Sequence, residues 1–311
     1  MKHAKKLICF GVAIATILTA SACNFIGTNS SSSSSQNPTP IDYIAKDKPL
    51  VEKAMADGEL SVLTIGNSFS VDAMEYAYEI ADDLGIEVRF GNLYKPGCSI
   101  RQHYDYAKAN SQSYTYYECV EGQWSSTKNY RTLDAVQSYN WDYIVMQHDP
   151  DQSGWQTTYS TLPDLISIVK PLCPNATLVW HMTWAYQSDS QQTAFKQYNN
   201  DQMEMYNQII AATKAQILTN ADISMVIPSG SVIQNARTSS LGDTLTRDGY
   251  HMSLDVGRYI VGVAYIAKLS GVNIQNLQYK PEGVTETARK IAIDSVEKAL
   301  KNPFEITKVN M

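Results

Sequence analysis

The stretch LTIGNSFSVDA, residues 63–73, joins an apolar run to a helical pattern through a glycine and two polar residues. Residues 61–65 have the composition of a buried strand, and the apolar residues that follow recur at helical spacing until Gly85. Where a strand runs straight into a helix, the joining turn lies at the carboxyl edge of the sheet, where open α/β folds bind ligands. The sequence therefore allows two interpretations of Ser68, a helix-capping turn residue or a nucleophile.

Short β-type runs alternate with longer helical patterns along the rest of the chain, which is typical of a parallel sheet with helices on both faces. We predict a three-layer α/β/α sandwich around a mainly parallel five-stranded sheet. The segment 113–132 is rich in aromatic and β-branched residues around Glu121-Gly122, and it predicts an inserted β-hairpin. After residues 61–65, the predicted strands are 87–93, 141–147, 176–184 and 223–228, and the longer helices are 162–170, 193–218, 254–269 and 285–300.

The first 22 residues have the layout of an export signal, with three lysines, an apolar run and small residues before Cys23. The apolar run is shorter than the roughly 20 residues that a membrane span needs. LTASAC, residues 18–23, resembles a bacterial lipobox, which implies a lipid on Cys23 and a protein anchored to the cell envelope; plain secretion is the alternative. Residues 1–22 are thus interpreted as a signal peptide, 23–58 as a lipidated cysteine and Ser-rich tether, and 59–311 as the folded domain.

Charge and cysteine content narrow the functional classes. The formal net charge is −6, and loss of residues 1–22 with their three lysines makes it −9, so we expect no nucleic-acid partner. Cys98, Cys119 and Cys173 remain in the domain, an odd number that allows one disulfide. The sequence leaves open whether Cys98 pairs with Cys119, and no pair of cysteines has metal-site spacing.

Two further segments can supply what a serine nucleophile needs. In LTRDGYHMS, residues 245–253, His251 can act as general base if a carboxylate binds its other ring nitrogen, and Asp248 lies three residues earlier. YKPGCS, residues 94–99, contains Gly97, whose backbone N–H can donate to an oxyanion. Taken singly, each segment is also typical of an ordinary turn.

In this order and at these predicted strand ends, the three segments resemble the SGNH (GDSL-type) hydrolases; the hairpin with WDYIVMQ and VWHMTWAY resembles the DUF4886 branch. The resemblance implies a flavodoxin-like fold and acyl transfer without a cofactor. It implies Ser68 as nucleophile, Asp248 and His251 as acid and base, and an oxyanion hole that includes the N–H groups of Ser68 and Gly97. α/β-Hydrolases share the Ser-Asp-His order but carry G-x-S-x-G in mid-domain with a distant acid, so that class is excluded.

One block departs from the family pattern. The family has G-x-N-D after its third strand, with the asparagine as a third oxyanion donor, whereas this chain has MQHDPDQSG at residues 146–154. We predict that Gln147 replaces that donor, because an ionised Asp149 cannot donate. His148 with Asp149 and Asp151 allows a metal site as an alternative. One histidine and two acids in a proline-containing turn are more typical of a solvated loop, so we predict no metal.

The substrate is inferred from aromatic residues and from export. Rings that follow the third and fourth predicted strands can stack on a sugar, with core packing as the alternative, and the predicted substrate contacts are Trp184, Tyr186 and His148. We predict an esterase for O-acetyl groups on carbohydrate that meets the membrane only through its lipid anchor. The competing hypotheses are a non-catalytic carbohydrate-binding lipoprotein on the same fold and a serine peptidase, for which no peptide-binding strands are identifiable.

Overall fold

The computed structural model describes residues 42–311, and the strands within them form one sheet. The order across the sheet is β4-β3-β2-β1-β5-β6-β7; β3 pairs antiparallel with both β2 and β4, and the other neighbours are parallel. The strands are β1 (Glu59–Gly66), β2 (Glu87–Tyr94), β3 (Tyr114–Val120), β4 (Gln123–Tyr130), β5 (Tyr143–Met146), β6 (Thr177–His181) and β7 (Ile223–Ile227).

Helices fill the connections between the strands and follow the last one. The α-helices of the described residues are α1 (Tyr43–Ala54), α2 (Ser68–Met74), α3 (Ala77–Asp83), α4 (Ile100–Lys108), α5 (Thr132–Gln137), α6 (Leu162–Val169), α7 (Gln202–Ala212), α8 (Ser229–Arg237), α9 (Val256–Ser270) and α10 (Glu286–Lys301). Short 3-10 segments span Gln156–Thr161, Lys170–Leu172, Thr193–Tyr198 and Ile274–Asn276, and a π-helical turn spans Thr213–Ile217.

The two faces of the sheet carry separate apolar clusters, because alternate residues of a strand point to opposite faces. In β1, Leu60 and Val62 pack into the cluster that also contains buried residues of α2, α3, α8, α9 and α10. Leu63 and Ile65 pack on the other face, with α4, α5, α6 and α7. All four side chains are at most 1% exposed, and burial of each contributes roughly 1.5–3 kcal/mol. The fold is the three-layer α/β/α sandwich that the sequence predicts, with β1 at its centre.

The number of strands differs from the prediction. The five predicted strands are present as β1, β2, β5, β6 and β7, and they are parallel. The predicted hairpin, β3 and β4, is not separate from them, because β3 pairs along β2 from Arg89↔Val120 to Tyr94↔Thr115. The edge of β2 would otherwise leave a row of unpaired backbone N–H and C=O groups. The hairpin therefore extends the sheet to seven strands.

The helices differ from the sequence pattern mainly at their breaks. The first predicted helix, which continues to Leu84 in the sequence pattern, is divided into α2 and α3. The predicted helix 193–218 is divided where Asn199 and Asn200 adopt positive φ angles of 57° and 50°, after which Asp201 caps α7. Helices α4, α5 and α8, of nine, six and nine residues, were not predicted, because they are short and have fewer apolar residues to mark a helical period than α6 of similar length.

The segment interpreted as a tether contains helix α1. Asp42 caps this helix, since its Oδ1 accepts hydrogen bonds from the backbone N–H groups of Ile44 and Ala45 at 3.1 and 3.0 Å. Asp47 of α1 forms a buried ion pair with Lys268 of α9. For α1 the tether prediction is therefore wrong, because a paired buried carboxylate and contacts with α9, α10 and β1 hold this helix on the domain.

The other N-terminal predictions lie outside the described residues. These are the signal peptide at residues 1–22, the lipid on Cys23 and the tether up to residue 41. From residue 42 onwards, no helix has both the length and the apolar character needed to cross a bilayer.

Cys98, Cys119 and Cys173 are free thiols, and all three are buried. Cys98 and Cys119, whose pairing the sequence left open, are thus not joined. Burial raises the pKa of the Cys98 thiol to about 12 and that of the Cys119 thiol to about 11. Both thiols therefore stay protonated near neutral pH, where only the thiolate would be a nucleophile.

Candidate active site

The turn between β1 and α2 holds Ser68 at the carboxyl edge of the sheet. β1 ends at Gly66 and α2 begins at Ser68, so Asn67 alone joins the two elements. The Asn67 Oδ1 accepts a hydrogen bond from the N–H of Phe69 over 3.0 Å and caps the helix. A Cβ at residue 66 would lie 2.7 Å from Ser70 Oγ, so the turn requires glycine there. The Ser68 side chain is left half-buried at this edge.

A tight loop between α8 and α9 carries Asp248 and His251. Its two arms pair with each other, and the N–H of Arg247 donates to the carbonyl of His251 over 2.9 Å. Gly249 at the tip has a φ of 89°, and a Cβ there would lie 2.7 Å from Ser190 Oγ, so this position also requires glycine. The turn brings the Asp248 carboxylate back to the imidazole three residues later.

Ser68, His251 and Asp248 form a continuous row of hydrogen bonds. The Nε2 of His251 lies 2.7 Å from Ser68 Oγ, and its Nδ1 lies 2.7 Å from Asp248 Oδ2. The Oδ1 of Asp248 accepts from the backbone N–H groups of His251 and Tyr250 at 2.8 and 3.3 Å. Because an ionised carboxylate only accepts, Nδ1 carries the proton and Nε2 can accept from the serine hydroxyl. The structure thus brings together three residues predicted from distant segments.

The surroundings of Asp248 favour its ionised form. Burial acts to raise its carboxyl pKa, but hydrogen bonds from the side chain and backbone of His251 outweigh that effect, and the pKa lies below the ordinary value of 3.8. The Asp248 side chain is 39% exposed, whereas that of His251 is 14% exposed. A charged Asp248 at neutral pH would stabilise an imidazolium on its partner.

Two backbone N–H groups in adjoining turns are free to donate. Gly97 lies after β2 in a turn closed by a hydrogen bond from the N–H of Cys98 to the carbonyl of Lys95, and its φ is 57°. The N–H of Lys95 donates to the carbonyl of Gly66 over 3.2 Å, which fixes this turn against the serine turn. Within residues 42–311, no hydrogen bond uses the N–H of Ser68 or of Gly97. Their role in an oxyanion hole stays a prediction that this geometry allows.

Gln147 lies directly after β5 and is only 1% exposed. Its Nε2 donates to Asn67 Oδ1 over 2.8 Å, and its Oε1 lies 3.0 Å from Nδ1 of His181. The Nε2 of His181 in turn lies 2.9 Å from Ser229 Oγ. One of the two amide hydrogens of Gln147 is thus used to support the serine turn. Its predicted contact with an oxyanion stays a prediction.

The structure contradicts the predicted substrate contacts of Trp184 and Tyr186, because both side chains are completely buried. Trp184 stacks on Phe69 with ring centroids 4.1 Å apart, and its Nε1 donates to the carbonyl of Tyr250 over 2.7 Å. The hydroxyl of Tyr186 donates to Asp151 Oδ1 over 2.5 Å. A completely covered ring offers no surface to a sugar. Trp184 supports the His251 loop instead, and Tyr186 holds Asp151 in the segment after β5.

His148 is also buried, at 1% exposure, and does not contact substrate in this arrangement. Its Nε2 lies 2.9 Å from Thr158 Oγ1, and its Nδ1 contacts the Asp149 carboxylate and N–H. Within the described part of the chain, no three histidine, cysteine or acidic side chains form a group that could hold a metal ion. Of the aromatic residues after the predicted strands, Trp155 is 38% exposed and remains accessible to a ligand.

The sequence interpretation missed Asp72, which is completely buried on α2 one turn after Ser68. Its carboxylate accepts hydrogen bonds from Arg247 and from the N–H of Met252, in the loop that carries His251. An acidic residue within an apolar helical pattern was the available signal, since a buried carboxylate needs partners. Its two arginine partners lie 175 and 186 residues away, and no spacing rule connects positions so far apart.

The comparisons with known proteins agree with the fold. The family model described as "Domain of unknown function (DUF4886)" matches residues 61–299. The chain is similar to the solved structure of a DUF4886 family protein from Bacteroides uniformis ATCC 8492, with 35% sequence identity and a TM-score of 0.79. That match covers 81% of this chain and 98% of the other. No curated protein matches the sequence.

Two carbohydrate esterases show weaker likenesses. A family 3 carbohydrate esterase from Clostridium thermocellum is 13% identical, with a TM-score of 0.42, over 71% of this chain and 98% of the other. An acetylxylan esterase from Geobacillus stearothermophilus is 12% identical, with a TM-score of 0.43, over 71% and 95%. At this level neither likeness carries an argument about function. By the family model and the similarity to the Bacteroides uniformis protein, the chain belongs to the DUF4886 family, a domain of unknown function.

Proposed function

We propose that this protein is a serine esterase of the SGNH type, which hydrolyses carboxylic esters through an acyl-enzyme. The observation that carries the proposal is the hydrogen-bonded row of Ser68, His251 and Asp248, with 2.7 Å at each of its two side-chain steps. Nucleophilic acyl transfer needs this arrangement, in which a hydroxyl, an imidazole and a carboxylate contact one another in turn at the edge of a sheet.

In the first half of the proposed cycle, Ser68 Oγ attacks the ester carbonyl while His251 Nε2 takes the hydroxyl proton. Asp248 stabilises the imidazolium that forms. The oxyanion of the tetrahedral intermediate accepts hydrogen bonds from the N–H groups of Ser68 and Gly97, with the second amide hydrogen of Gln147 as the proposed third donor. The intermediate expels the alcohol, which receives the proton held on Nε2, and the acyl group stays on Ser68.

In the second half, water takes the place of the alcohol. His251 removes a proton from the water as it attacks the acyl-enzyme carbonyl, and the same backbone N–H groups stabilise the second oxyanion. Collapse of that intermediate returns the proton to Ser68 Oγ and releases the carboxylic acid. Every proton transfer in this cycle uses His251, so the mechanism requires no cofactor.

For the substrate we propose O-acetyl groups on carbohydrate. Trp155, at 38% exposure, offers an aromatic ring for stacking on a sugar, and its loop adjoins the serine turn through the hydrogen bond from Asn67 to the carbonyl of His148. The large exposed apolar side chains of the described residues come from separate elements. No helix among those residues therefore presents the apolar face expected of a lid for long acyl chains.

A fluorophosphonate probe tests the esterase proposal, because it forms a covalent bond with an activated serine. We expect the wild-type protein to be labelled and the Ser68→Ala protein to remain unlabelled. Release of acetate from acetylated xylan, measured against hydrolysis of long-chain p-nitrophenyl esters, then tests the acyl group. Preference for long chains would overturn the acetylesterase proposal, and a folded wild-type domain without labelling would overturn the esterase proposal itself.

A non-catalytic carbohydrate-binding protein is the second candidate, and the departure in the third block, where Gln147 and His148 precede Asp149, favours it. It predicts sugar binding that Ser68→Ala leaves unchanged, without labelling of the wild type. For location we propose a lipid-anchored protein of the cell envelope. Cys23→Ala should move the protein from the membrane fraction to the soluble fraction, and an unchanged membrane fraction would contradict the anchor.

A further inference from the structure

Asp72 is a completely buried carboxylate that accepts three hydrogen bonds. Its Oδ1 accepts from Arg247 Nη1 at 3.0 Å and from Arg258 Nε at 2.8 Å, and its Oδ2 accepts from the N–H of Met252 at 2.9 Å. Burying a carboxylate is costly unless charged and hydrogen-bonding partners surround it. Two arginines and a backbone N–H thus surround the buried carboxylate of Asp72. Ser68 begins the helix that carries this residue.

Two of the three partners of Asp72 flank Asp248 and His251, at the two ends of the acid-base loop (residues 247–252). Arg247 directly precedes Asp248, and Met252 directly follows His251. Arg247 Nη1 also donates to the carbonyl of Met252 over 2.5 Å, so one guanidinium group joins the two ends of the segment to each other. The carboxylate thus connects the nucleophile's helix to the loop that holds its base.

The other supports of this loop come from a different side. The Nε1 of Trp184 donates to the carbonyl of Tyr250, and the N–H of Gln187 donates to the carbonyl of Gly249 over 2.8 Å. Both donors follow β6 and hold the tip of the loop against the segment after that strand. Of these hydrogen bonds, only those of Asp72 join the loop to α2, where the Phe69 ring also packs with its centroid 5.9 Å from that of His251. The separation of Ser68 Oγ from His251 Nε2 depends on how the loop is held on this helix.

We propose that Asp72 is a positioning residue, which sets the hydrogen bond from Ser68 to His251 by holding the acid-base loop on the nucleophile's helix. The proposal rests on the proposed esterase function. A displacement of the base by about 1 Å is enough to slow a reaction about 100-fold. Asp72→Asn keeps the shape of the side chain but places an amide NH₂ against donors, so the loop loses its fixed place.

The test compares Asp72→Asn with Asp142→Asn in the full-length protein. Asp142 also joins distant segments, since its Oδ2 accepts from the N–H and hydroxyl of Ser61 at 2.9 and 2.6 Å, at the opposite end of the sheet. For Asp72→Asn we expect fluorophosphonate labelling and kcat for p-nitrophenyl acetate to fall about 10- to 100-fold, with KM within about twofold of wild type. Asp142→Asn should keep both rates near the wild-type values.

A proton NMR signal gives a readout that a structural role alone would not move. The Nδ1 proton of His251, bound to Asp248, should give a low-field resonance in the wild type and in Asp142→Asn, and should broaden or disappear in Asp72→Asn. If Asp72→Asn does not fold, Arg247→Met tests the same connection at a side chain that is 32% exposed. A labelled wild type with an equally labelled variant would overturn this proposal; an unlabelled wild type would overturn the esterase function instead.

Discussion

The side-chain amide of Gln147 donates from Nε2 to Oδ1 of Asn67 over 2.8 Å. Asn67 Nδ2 in turn lies 3.2 Å from the carbonyl oxygens of both Cys98 and His148. One amide therefore connects the turns that follow β1, β2 and β5. The completely buried side chain of Asn67 thus links the serine turn, the Gly97 turn and the segment that begins at Gln147.

Asn67→Ala removes these connections as well as a helix cap. We expect the free energy of unfolding to fall by about 2–4 kcal/mol, because two buried carbonyls and one amide lose their partners. Labelling of Ser68 should slow in the same variant. Denaturant unfolding measures the first effect. Asn273→Ala, which removes the Oδ1 that accepts from the N–H of Gln275, should cost only about 1 kcal/mol, and an equal cost for both would contradict the connecting role.

Asp248→Asn tests the carboxylate at the end of the row. An amide in place of Oδ2 no longer fixes the proton on His251 Nδ1 or stabilises the imidazolium, so kcat should fall by a factor on the order of 10⁴. The structure itself should change little, since the side chain is 39% exposed. Steady-state hydrolysis of p-nitrophenyl acetate gives the rate, with exposed Asp189→Asn as the control. A decrease in kcat of less than about tenfold would show that Asp248 does not take part in the mechanism.

His181 makes the stability of the fold depend on pH. Burial lowers its pKa from 6.5 to about 3, so the folded protein keeps it neutral while the unfolded chain binds a proton below pH 6.5. The unfolded state thus binds more protons between about pH 6.5 and 3, and stability falls as the pH falls through this window.

Around pH 5 the contribution of His181 to this slope is up to about 1.4 kcal/mol per pH unit. His181→Gln should remove that share when the free energy of unfolding is measured between pH 4 and 6. His103, whose pKa burial also lowers to about 3, provides a second test, and His103→Gln should reduce the slope similarly. Slopes equal to that of the wild type would show that neither group titrates on unfolding.

The buried pair of Asp47 and Lys268 tests whether α1 belongs to the domain. Lys268→Met leaves an unpaired buried carboxylate and should cost about 3–5 kcal/mol, while adding Asp47→Leu should recover most of that loss. Urea unfolding of the two single variants and the double variant gives the coupling energy. Single-variant costs below about 1 kcal/mol would mean that α1 contributes little to the stability of the domain.

Local patterns predicted much of this protein. The five parallel strands follow from apolar runs bounded by turn residues, and the association of Ser68 with Asp248 and His251 was predicted from the resemblance of three short segments to the SGNH hydrolases. The pairing of the hairpin with β2 was not predicted, because register between a hairpin and a distant edge is a tertiary property.

Burial was the harder property to predict. Trp184 and Tyr186 lie beyond the end of β6, yet Trp184 stacks on Phe69 and Tyr186 donates a hydrogen bond to Asp151. Composition cannot distinguish these outcomes, because the same rings are suited to both. The role of Asp72 was out of reach for a related reason, since its three partners become neighbours only when the loop closes on α2.

The hydrogen bond between Ser68 and His251 joins residues 183 positions apart. During synthesis, the chain must therefore extend beyond residue 251 before the proposed esterase activity can arise, and a fragment that ends between these two residues would keep Ser68 but lose its base. We therefore expect the proposed activity to appear late in the maturation of the polypeptide. For a laboratory refolding experiment, the recovery of serine labelling would report completion of the sheet and its covering helices, long after helical circular dichroism has returned.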